Sequence, residues 1–552
     1  MASCIQGVSA HISTSGPFNP LPPGPSSPIS ADVLSDLLRD YPCQRTRAYL
    51  VSGFRFGFDI GFRGTFDDPN ARPRNLKSAR DNVAPVSEAI AKELKRGHTS
   101  GPFSSPPFAH THCSPIGSAP KPDGSVRLIL DLSSPRGQSV NDGISRDEFT
   151  CRYSRFDDAV AIVLQLGRGA FLGKIDIKHA FRICPVRPDQ WPLLCFQWLG
   201  QFFVDTRLPF GSRSSPFIFN TFAMALAWIV LNVGRLAVLI HYLDDYFLAS
   251  PSEAGCRGDM DVFLGICRSL GVPIAEDKTE GPSTSLVFLG IEIDSAAMTV
   301  RLPADKLAKA RTLITEWSAR RKCTKRELLS LIGFLSFACK VVKPGRIFLR
   351  RLIDLSTSVV SLNHFIYLNA EARADIQWWQ DFFPLWHGVE IIHPPPISAI
   401  DLHLFTDASD LGLGGVFGQH WFSAAWPEAW APSATNHINV RELFAVWVAV
   451  HLWGDAWANS AVVVHTDNKS VVDVWLTGSC SDARMMAIIR ALFFRCAQIN
   501  LNLLVAHVPG KSNSNADFLS RLQVQAFLNA CPEARNIPTP IPDDAWTLRG
   551  SL

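Results

Sequence analysis

The chain has 552 residues, 47% apolar and 19% charged, so it can fill several cores; length alone sets a prior of roughly three or four domains. A net charge of +3 selects no class of partner by itself. The thirteen cysteines form no CxxC pair and stand in apolar context, which argues for buried thiols in a reducing compartment and against a disulfide framework.

The start, "MASCIQGVSAHISTSGPFNPLPPGPSSP", has no basic segment followed by an apolar run, so no secretory signal is expected. Its Ser/Pro/Gly content predicts disorder over residues 1–30. An intracellular protein, in cytoplasm or nucleus, is the expectation. "ISADVLSDLLRDYP" predicts a short capped helix and "VSEAIAKELKRGH" an amphipathic helix with a basic C-terminus; both fall in a helical extension over residues 31–100. Neither carries chemistry that its residues disclose.

From Ser114, "SPIGSAPKPDGSVRLILDLS" predicts strand, turn, strand, with Asp123 and Gly124 at the turn. "GAFLGKIDIKHAFRICPV" predicts a strand ending near Asp176, and "LPFGSRSSPFIFNTFAMALAWIV" a loop entering a long apolar helix. The apolar run from Ala223 to Ile240 is about long enough to span a bilayer, but Asn232, Gly234 and Arg235 interrupt it. A buried helix followed by a strand, with no membrane association, is the better reading. "HYLDDYFLAS" and "LVFLGIEID" add further strands, and mixed elements in this order predict an α+β domain around an antiparallel sheet.

Between Arg301 and Arg351 there are 14 Lys/Arg against three acids, a helical segment suited either to solvent or to phosphates. The Pro-rich "IIHPPPISAID" predicts a boundary near residue 398. A second, α/β domain follows: "DLHLFTDASDLGLGGVFG" as strand and hairpin, "INVRELFAVWVAVHLW" as helix, "AVVVHTDN" and "LNLLVAHVPG" as strands. No repeat recurs at a fixed period. The end, with "NIPTPIPDDAW", predicts a loose tail over residues 525–552.

Asp244 and Asp245 are adjacent, and side chains alternate along a strand, so both can serve one site only where the chain turns. Two carboxylates at a hairpin tip, with Asp176 from a nearby strand end, can bind two Mg²⁺ through oxygen ligands shared with substrate phosphates. An isolated acidic pair is ordinarily a solvated turn. Here "PKPDGSVR", "KIDIKHAF", "LPFGSRSSP", "YLDD" and "FLGIEID" occur in that order, and over residues 110–300 the chain resembles the fingers and palm of a reverse transcriptase.

That resemblance implies metal ligation by Asp176 and Asp244, with Asp245 completing the cluster and the Ile177 carbonyl as an added ligand. The cofactor would be two Mg²⁺ per active site, with Mn²⁺ as an alternative. Phe181 matches the family's steric gate against ribose, which implies deoxynucleoside triphosphates as substrates. Lys121 and Arg127 fall where fingers residues clasp the triphosphate, and Gly211 where backbone approaches nucleotide and template. Lys278 resembles the lysine proposed to protonate pyrophosphate; a surface lysine is the equal alternative on residues alone.

"FTDAS", "RELFAV", "HTDN" and "SNADFLSR" supply Asp407, Glu442, Asp467 and Asp517, which resemble the four acids of ribonuclease H. Four converging carboxylates suit two Mg²⁺ and phosphodiester hydrolysis. One departure is that Lys511 stands where these nucleases often carry a mobile histidine, while His507 lies earlier; its role stays open. "HTHC", His110 to Cys113, lacks a fourth ligand at zinc spacing.

The fold class implied is α+β, a right-hand polymerase followed by an α/β ribonuclease H-like domain. Fingers and palm span residues 101–300, thumb and connection 301–398, and the nuclease-like domain 399–524. The partners implied are an RNA template, a DNA primer and an RNA–DNA hybrid, whose duplex the basic helices would grip. "LLRDYP", "LVSGFRFGFDIGFRG", "DIQWW" and "HINVRELFAV" most resemble DIRS-type retrotransposons, whose tyrosine recombinase is separately encoded. There is no Asp-Thr/Ser-Gly protease signature and no zinc knuckle. A truncated long-terminal-repeat element and a non-catalytic, host-adopted nucleic-acid-binding derivative remain alternatives.

Overall fold

Two antiparallel strands, Phe171–Asp176 and Asp245–Ser250, form the centre of the first half of the molecule. A computed structural model describes residues 18–548 except 69, 122, 123, 387, 388, 393–401, 479 and 481. The chain divides into two units, residues 1–166 with 170–289 and residues 167–169 with 290–552.

In the first unit a four-stranded antiparallel sheet runs Leu239–Tyr242, Asp245–Ser250, Phe171–Asp176, Glu280–Ser283. Phe247 and Leu248 are buried, and the Tyr246 hydroxyl, also buried, donates to the Ala223 carbonyl at 3.0 Å. That bond ties the sheet to helix Ser215–Asn232, whose residues Phe219, Phe222, Leu226 and Val230 are fully buried. The long apolar run thus divides into this core helix and the strand Leu239–Tyr242. Helix Glu253–Leu270 begins where the Ser252 hydroxyl accepts from the Gly255 N–H at 3.1 Å, and ends at Gly271 with φ of +81°. A hairpin of Ile116–Pro120 and Val126–Leu130 and a sheet of Thr99–Phe103, Gln201–Asp205 and Cys195–Trp198 also belong to the unit. Of the predicted turn pair, Asp123 lies outside the described residues, while Gly124 has φ of +78°.

The N-terminal expectation needs correction. Residues 1–17 lie outside the described residues, but 18–30 are packed rather than disordered. Asn19 and Gly101 exchange backbone hydrogen bonds at 2.7 Å, Ser30 N–H donates to Leu270 O at 2.9 Å, and Ile29 is buried. A proline-rich segment cannot stabilise itself, but it can be held by backbone bonds to a preformed neighbour.

The second unit contains helices Ala304–Ser318, Lys325–Ala338, Arg350–Thr357 and Ala370–Leu385. "DIQWW" proves to be core: Trp379 is fully buried, Trp378 stacks on Phe348 at 3.8 Å, and buried Asp375 pairs with Arg490 at 3.0 Å. The boundary expected near residue 398 lies outside the described residues. Beyond it a five-stranded sheet runs His420–Ala425, Gly412–Phe417, Phe405–Ala408, Ala461–Thr466, Asn502–His507. The first two neighbour pairs are antiparallel and the last two parallel.

Helix Ile438–Trp453 is buried almost throughout, and the C-terminal segment is one reason. The expected loose tail forms helices Val524–Ala530 and Asp543–Trp546. Phe527 is fully buried against Trp421, the Trp447 indole donates to Ala545 O at 2.8 Å, and Trp546 stacks on Phe444 at 5.6 Å. A few aromatic anchors therefore order a polar, proline-rich segment that composition alone reads as loose.

Candidate functional site

The first carboxylate group is built by one rung of the central ladder. Asp176, the last residue of its strand, is the cross-strand partner of Asp245, the first residue of the returning strand. Asp245 also pairs with Tyr242, so the connecting loop is only Leu243 and Asp244. The Ile177 N–H donates to Asp244 O at 3.0 Å, and the Ala275 N–H donates to Asp176 O at 2.9 Å. Adjacent aspartates therefore reach one place because the first sits in the loop and the second starts a strand. Leu243 (φ +53°) and His179 (φ +63°) flank the group in the left-handed region, a strain of about 1–2 kcal/mol each for side chains that normally avoid it.

Like charges in a half-buried place shift the titration of these groups. Burial raises Asp244, and the Asp176 charge adds to this. Asp245 is pushed up to about 6 by burial, then by the charges of Asp244 and Asp176 and a hydrogen bond to Asp176. Lys278 answers the excess charge, its Nζ lying 3.2 Å from both carboxylate oxygens of Asp176.

An open cleft of about 890 Å³ faces the group, lined by Asp176, Ile177, Asp244, Lys278, Phe181, Lys121 and Arg127 among others. Asp245 and Gly211 are not among its lining residues. The Phe181 ring packs on Phe210 at 5.2 Å and on Phe219 at 5.7 Å, and Arg127 stacks over the other partner of this group, Phe210, at 5.2 Å. Phe210 thus fixes both the aromatic wall and a cation of the cleft. Gly211 has a fold reason for lacking a side chain: at φ of +118° a Cβ would lie 2.0 Å from Leu130 O. Close backbone packing within the unit is by itself sufficient reason for this glycine.

Sequence reasoning missed one wall of the cleft. Helix Val83–Lys95 and its end contribute Glu88, Lys92, Glu93 and Arg96. Behind them Arg182, buried next to Phe181, lies 2.8 Å from Asp205 and 3.2 Å from Glu93. Burial works to raise Glu93, but the His98 hydrogen bond and the Arg182 charge outweigh it and hold its carboxyl down at about 2. The available signal was a charged residue inside the apolar "AFRICPV".

The second group brings three of its four predicted acids together. Carboxylate oxygens of Asp407, Glu442 and Asp467 lie within 4.8 Å of one another. They come from strand Phe405–Ala408, from buried helix Ile438–Trp453, and from the residue after strand Ala461–Thr466. Asp517 stands outside this cluster; Arg521 Nε donates to its carboxylate at 2.7 Å, and its charge still reaches Asp407. Burial pushes Asp407 up to about 7, with Asp467 and Asp517 adding and the Ser520 hydroxyl, which donates to it, opposing. Glu442 is raised strongly, first by burial and then by Asp407 and Asp467. Gly510 keeps the approach to Asp467 narrow but open, for a Cβ there would lie 3.1 Å from Asp467 Oδ2. His507 is exposed and pairs across the ladder with Thr466, while Lys511 sits in the short helical turn Gly510–Ser512.

Both groups are oxygen-only donor sets whose repulsion favours either a proton or a hard cation. Asp407, Glu442 and Asp467 fit a divalent ion by chemistry and convergence; Asp176 and Asp244 fit one with Lys278 as the competing positive charge.

Residues 119–293 match the family model described as "Reverse transcriptase (RNA-dependent DNA polymerase)". The Pro-Pol polyprotein of Simian foamy virus type 1 is 24% identical over 268 residues, covering 49% of this chain and 20% of that polyprotein. The retrovirus-related Pol polyprotein from transposon opus of Drosophila melanogaster is 22% identical over 435 residues, 75% of this chain and 40% of that protein. A solved foamy viral protease-reverse transcriptase in complex with double-stranded DNA superposes with a TM-score of 0.49 at 16% identity, covering 86% of this chain and 81% of that one. The chain spans between a fifth and two fifths of these curated relatives' length.

The raised Asp407 carboxyl predicts a pH-dependent stability. Its folded pKa of about 7 lies above the ordinary 3.8, so the folded state holds the proton longer and stability falls as pH rises between those values. In chelator, Asp407→Asn should match the parent Tm at pH 4 and exceed it by about 5 °C at pH 8, with Mg²⁺ narrowing the gap. A pH-independent difference, read by differential scanning fluorimetry, would refute a buried, ionisable Asp407.

Proposed function

From a chain that carries a reverse transcriptase domain and has retroelement polyproteins among its homologues, we propose an RNA-directed DNA polymerase joined to a ribonuclease H. The observation that carries the first activity is the convergence of Asp176 and Asp244 on a cleft bearing Lys121, Arg127 and Lys278, inside the matched region. The second activity is supported by the mutual approach of Asp407, Glu442 and Asp467.

In this reading the two carboxylate groups each hold two Mg²⁺ when loaded. Bound Mg²⁺ supplies Lewis acidity, activating a hydroxyl or water and offsetting charge on the departing oxygen. The chain's own residues do the rest. Asp176 and Asp244 hold the ligating oxygens in place through the ladder and the Ile177 and Ala275 backbone bonds. Lys121, at the turn just past the first strand of the hairpin, and Arg127, on its second strand, present donors to triphosphate oxygens. Lys278, whose Nζ lies 3.2 Å from Asp176 on the cleft wall, would present its ammonium to the departing pyrophosphate. Phe181, braced by Phe210 and Phe219, crowds a ribose 2′-hydroxyl and selects deoxynucleotides. At the other group, the buried Glu442 and Asp407 exclude water from one side, leaving Asp467 as the more accessible acid.

The substrates in this reading are an RNA template, a DNA primer, deoxynucleoside triphosphates and the RNA–DNA hybrid produced. The element class we favour is DIRS-type, supported by the "DIQWW" and "HINVRELFAV" resemblance.

Three outcomes test these statements. Asp244→Asn should reduce Mg²⁺-dependent primer extension on RNA to background while sparing hybrid-RNA cleavage, and Asp467→Asn should do the reverse; parent protein that is folded by circular dichroism yet extends no primer refutes the polymerase. Phe181→Val should admit ribonucleotides, measured as the ratio of kcat/KM for a nucleotide pair, and an unchanged ratio removes the gate. Flanking genomic sequence should encode a tyrosine recombinase, and an integrase there would overturn the DIRS assignment.

A further inference from the structure

Two large aromatic side chains stand in solvent on one short strand of the second unit. In Phe365–Tyr367, Ile366 is 3% exposed, whereas Phe365 is 61% and Tyr367 74% exposed. Alternation along a strand puts the two rings on the same face, about 7 Å apart. Their cross-strand partners in Lys322–Thr324 share that face: Thr324 opposite Phe365 and Lys322 opposite Tyr367. The Lys322 ammonium lies 5.2 Å from the Phe365 ring centroid, so the ribbon already presents a cation over an aromatic.

The surroundings are one-signed. Residues 320–326 carry Arg320, Arg321, Lys322, Lys325 and Arg326 and no acid. The next acid, Glu327, is engaged by Arg320 at 3.1 Å and caps the helix through Thr324. Packing within the ribbon does not need these rings: Cys323 and Ile366, on the opposite face, are the buried pair. Exposed Phe and Tyr side by side carry a solvation cost, and their placement within a cationic segment points to an anionic partner with flat apolar faces.

We propose that this face, Phe365, Tyr367 and Lys322 with the flanking Arg321 and Arg326, is a binding platform for single-stranded nucleic acid. Two successive unpaired bases stack on the rings, and the phosphates run along the cations. A duplex does not satisfy the geometry, because its bases already stack on each other and offer only backbone and groove edges. The platform is thus distinct from a duplex grip by basic helices, and none of its residues belongs to either carboxylate group.

The test uses the full-length chain in chelator, so that no strand is cut or extended. Single-stranded RNA carrying 4-thiouridine is irradiated on the protein and the cross-linked peptide identified by mass spectrometry, while affinity is measured by fluorescence anisotropy. Cross-links should fall on the Phe365 to Tyr367 peptide. Phe365→Ala and Tyr367→Ala should each weaken binding roughly tenfold, Phe365→Trp should retain it, and Lys322→Ala should flatten the salt dependence. Cross-links confined to the two carboxylate clefts, or unchanged affinity in the double alanine variant, would overturn the platform while leaving the polymerase reading intact. A parent dimer that the double variant converts to monomer in light scattering would also overturn it, since a second copy would then cover the face.

Discussion

Each candidate site depends on one constraint, the gathering of carboxylates that repel each other where water is scarce. At 4.8 Å and an effective dielectric of about 20, a like-charged pair costs about 3 kcal/mol, a large share of the 5–15 kcal/mol that typically stabilises a folded unit. The protein answers that cost in three ways: protons held at unusually high pH on Asp245, Asp407 and Glu442, a cation supplied by Lys278, and a rigid frame that keeps the acids from moving apart. A divalent cation answers it better than any of these, which is the physical link from the repulsion to metal-dependent phosphate chemistry.

The frames are built differently but obey the same logic. Around Asp176 the frame is a ladder rung, with a buried Tyr246 behind it and left-handed residues Leu243 and His179 turning the chain at the rim. Around Glu442 it is a helix buried on nearly all sides, which leaves a carboxylate no way to swing into solvent. The C-terminal segment contributes to that burial through Ala545 and Trp546. The cleft wall shows the same dependence on support: Phe181 packs on Phe210, over which Arg127 also lies, so an aromatic and a cation of the cleft share one neighbour.

Much of the site was legible in sequence because adjacent acids in apolar context break the usual pattern, and the departure survives in the one-dimensional string. Asp176, Asp244, Lys121, Arg127, Phe181 and Lys278 all stand in recognisable motifs and all line one cleft. Gly211 stands in the same motifs, but its close approach to the Leu130 carbonyl, a contact between segments about eighty residues apart, is visible only in the fold. Asp517 shares the motif pattern of the other acids, yet it lies outside their cluster and pairs with Arg521. The helix carrying Glu93 is legible as an amphipathic helix, but its place at the cleft and its pairing with buried Arg182 are not, since such a helix has the same periodicity whether it covers a core or walls a cleft.

By itself the sequence determined the alternation and helical periodicities, the positions of the breaks, and the pairs of acids too costly to bury without a purpose. Those are local properties, set by side-chain chemistry and backbone sterics within a few residues. Only the tertiary structure decided that Asp245 faces Asp176 across a rung, that Asp407, Glu442 and Asp467 converge while Asp517 pairs with Arg521, and that residues 18–30 and 524–546 pack instead of trailing. Each of these depends on register and on long-range contacts, where a shift of one residue turns a side chain to the opposite face and composition leaves no trace.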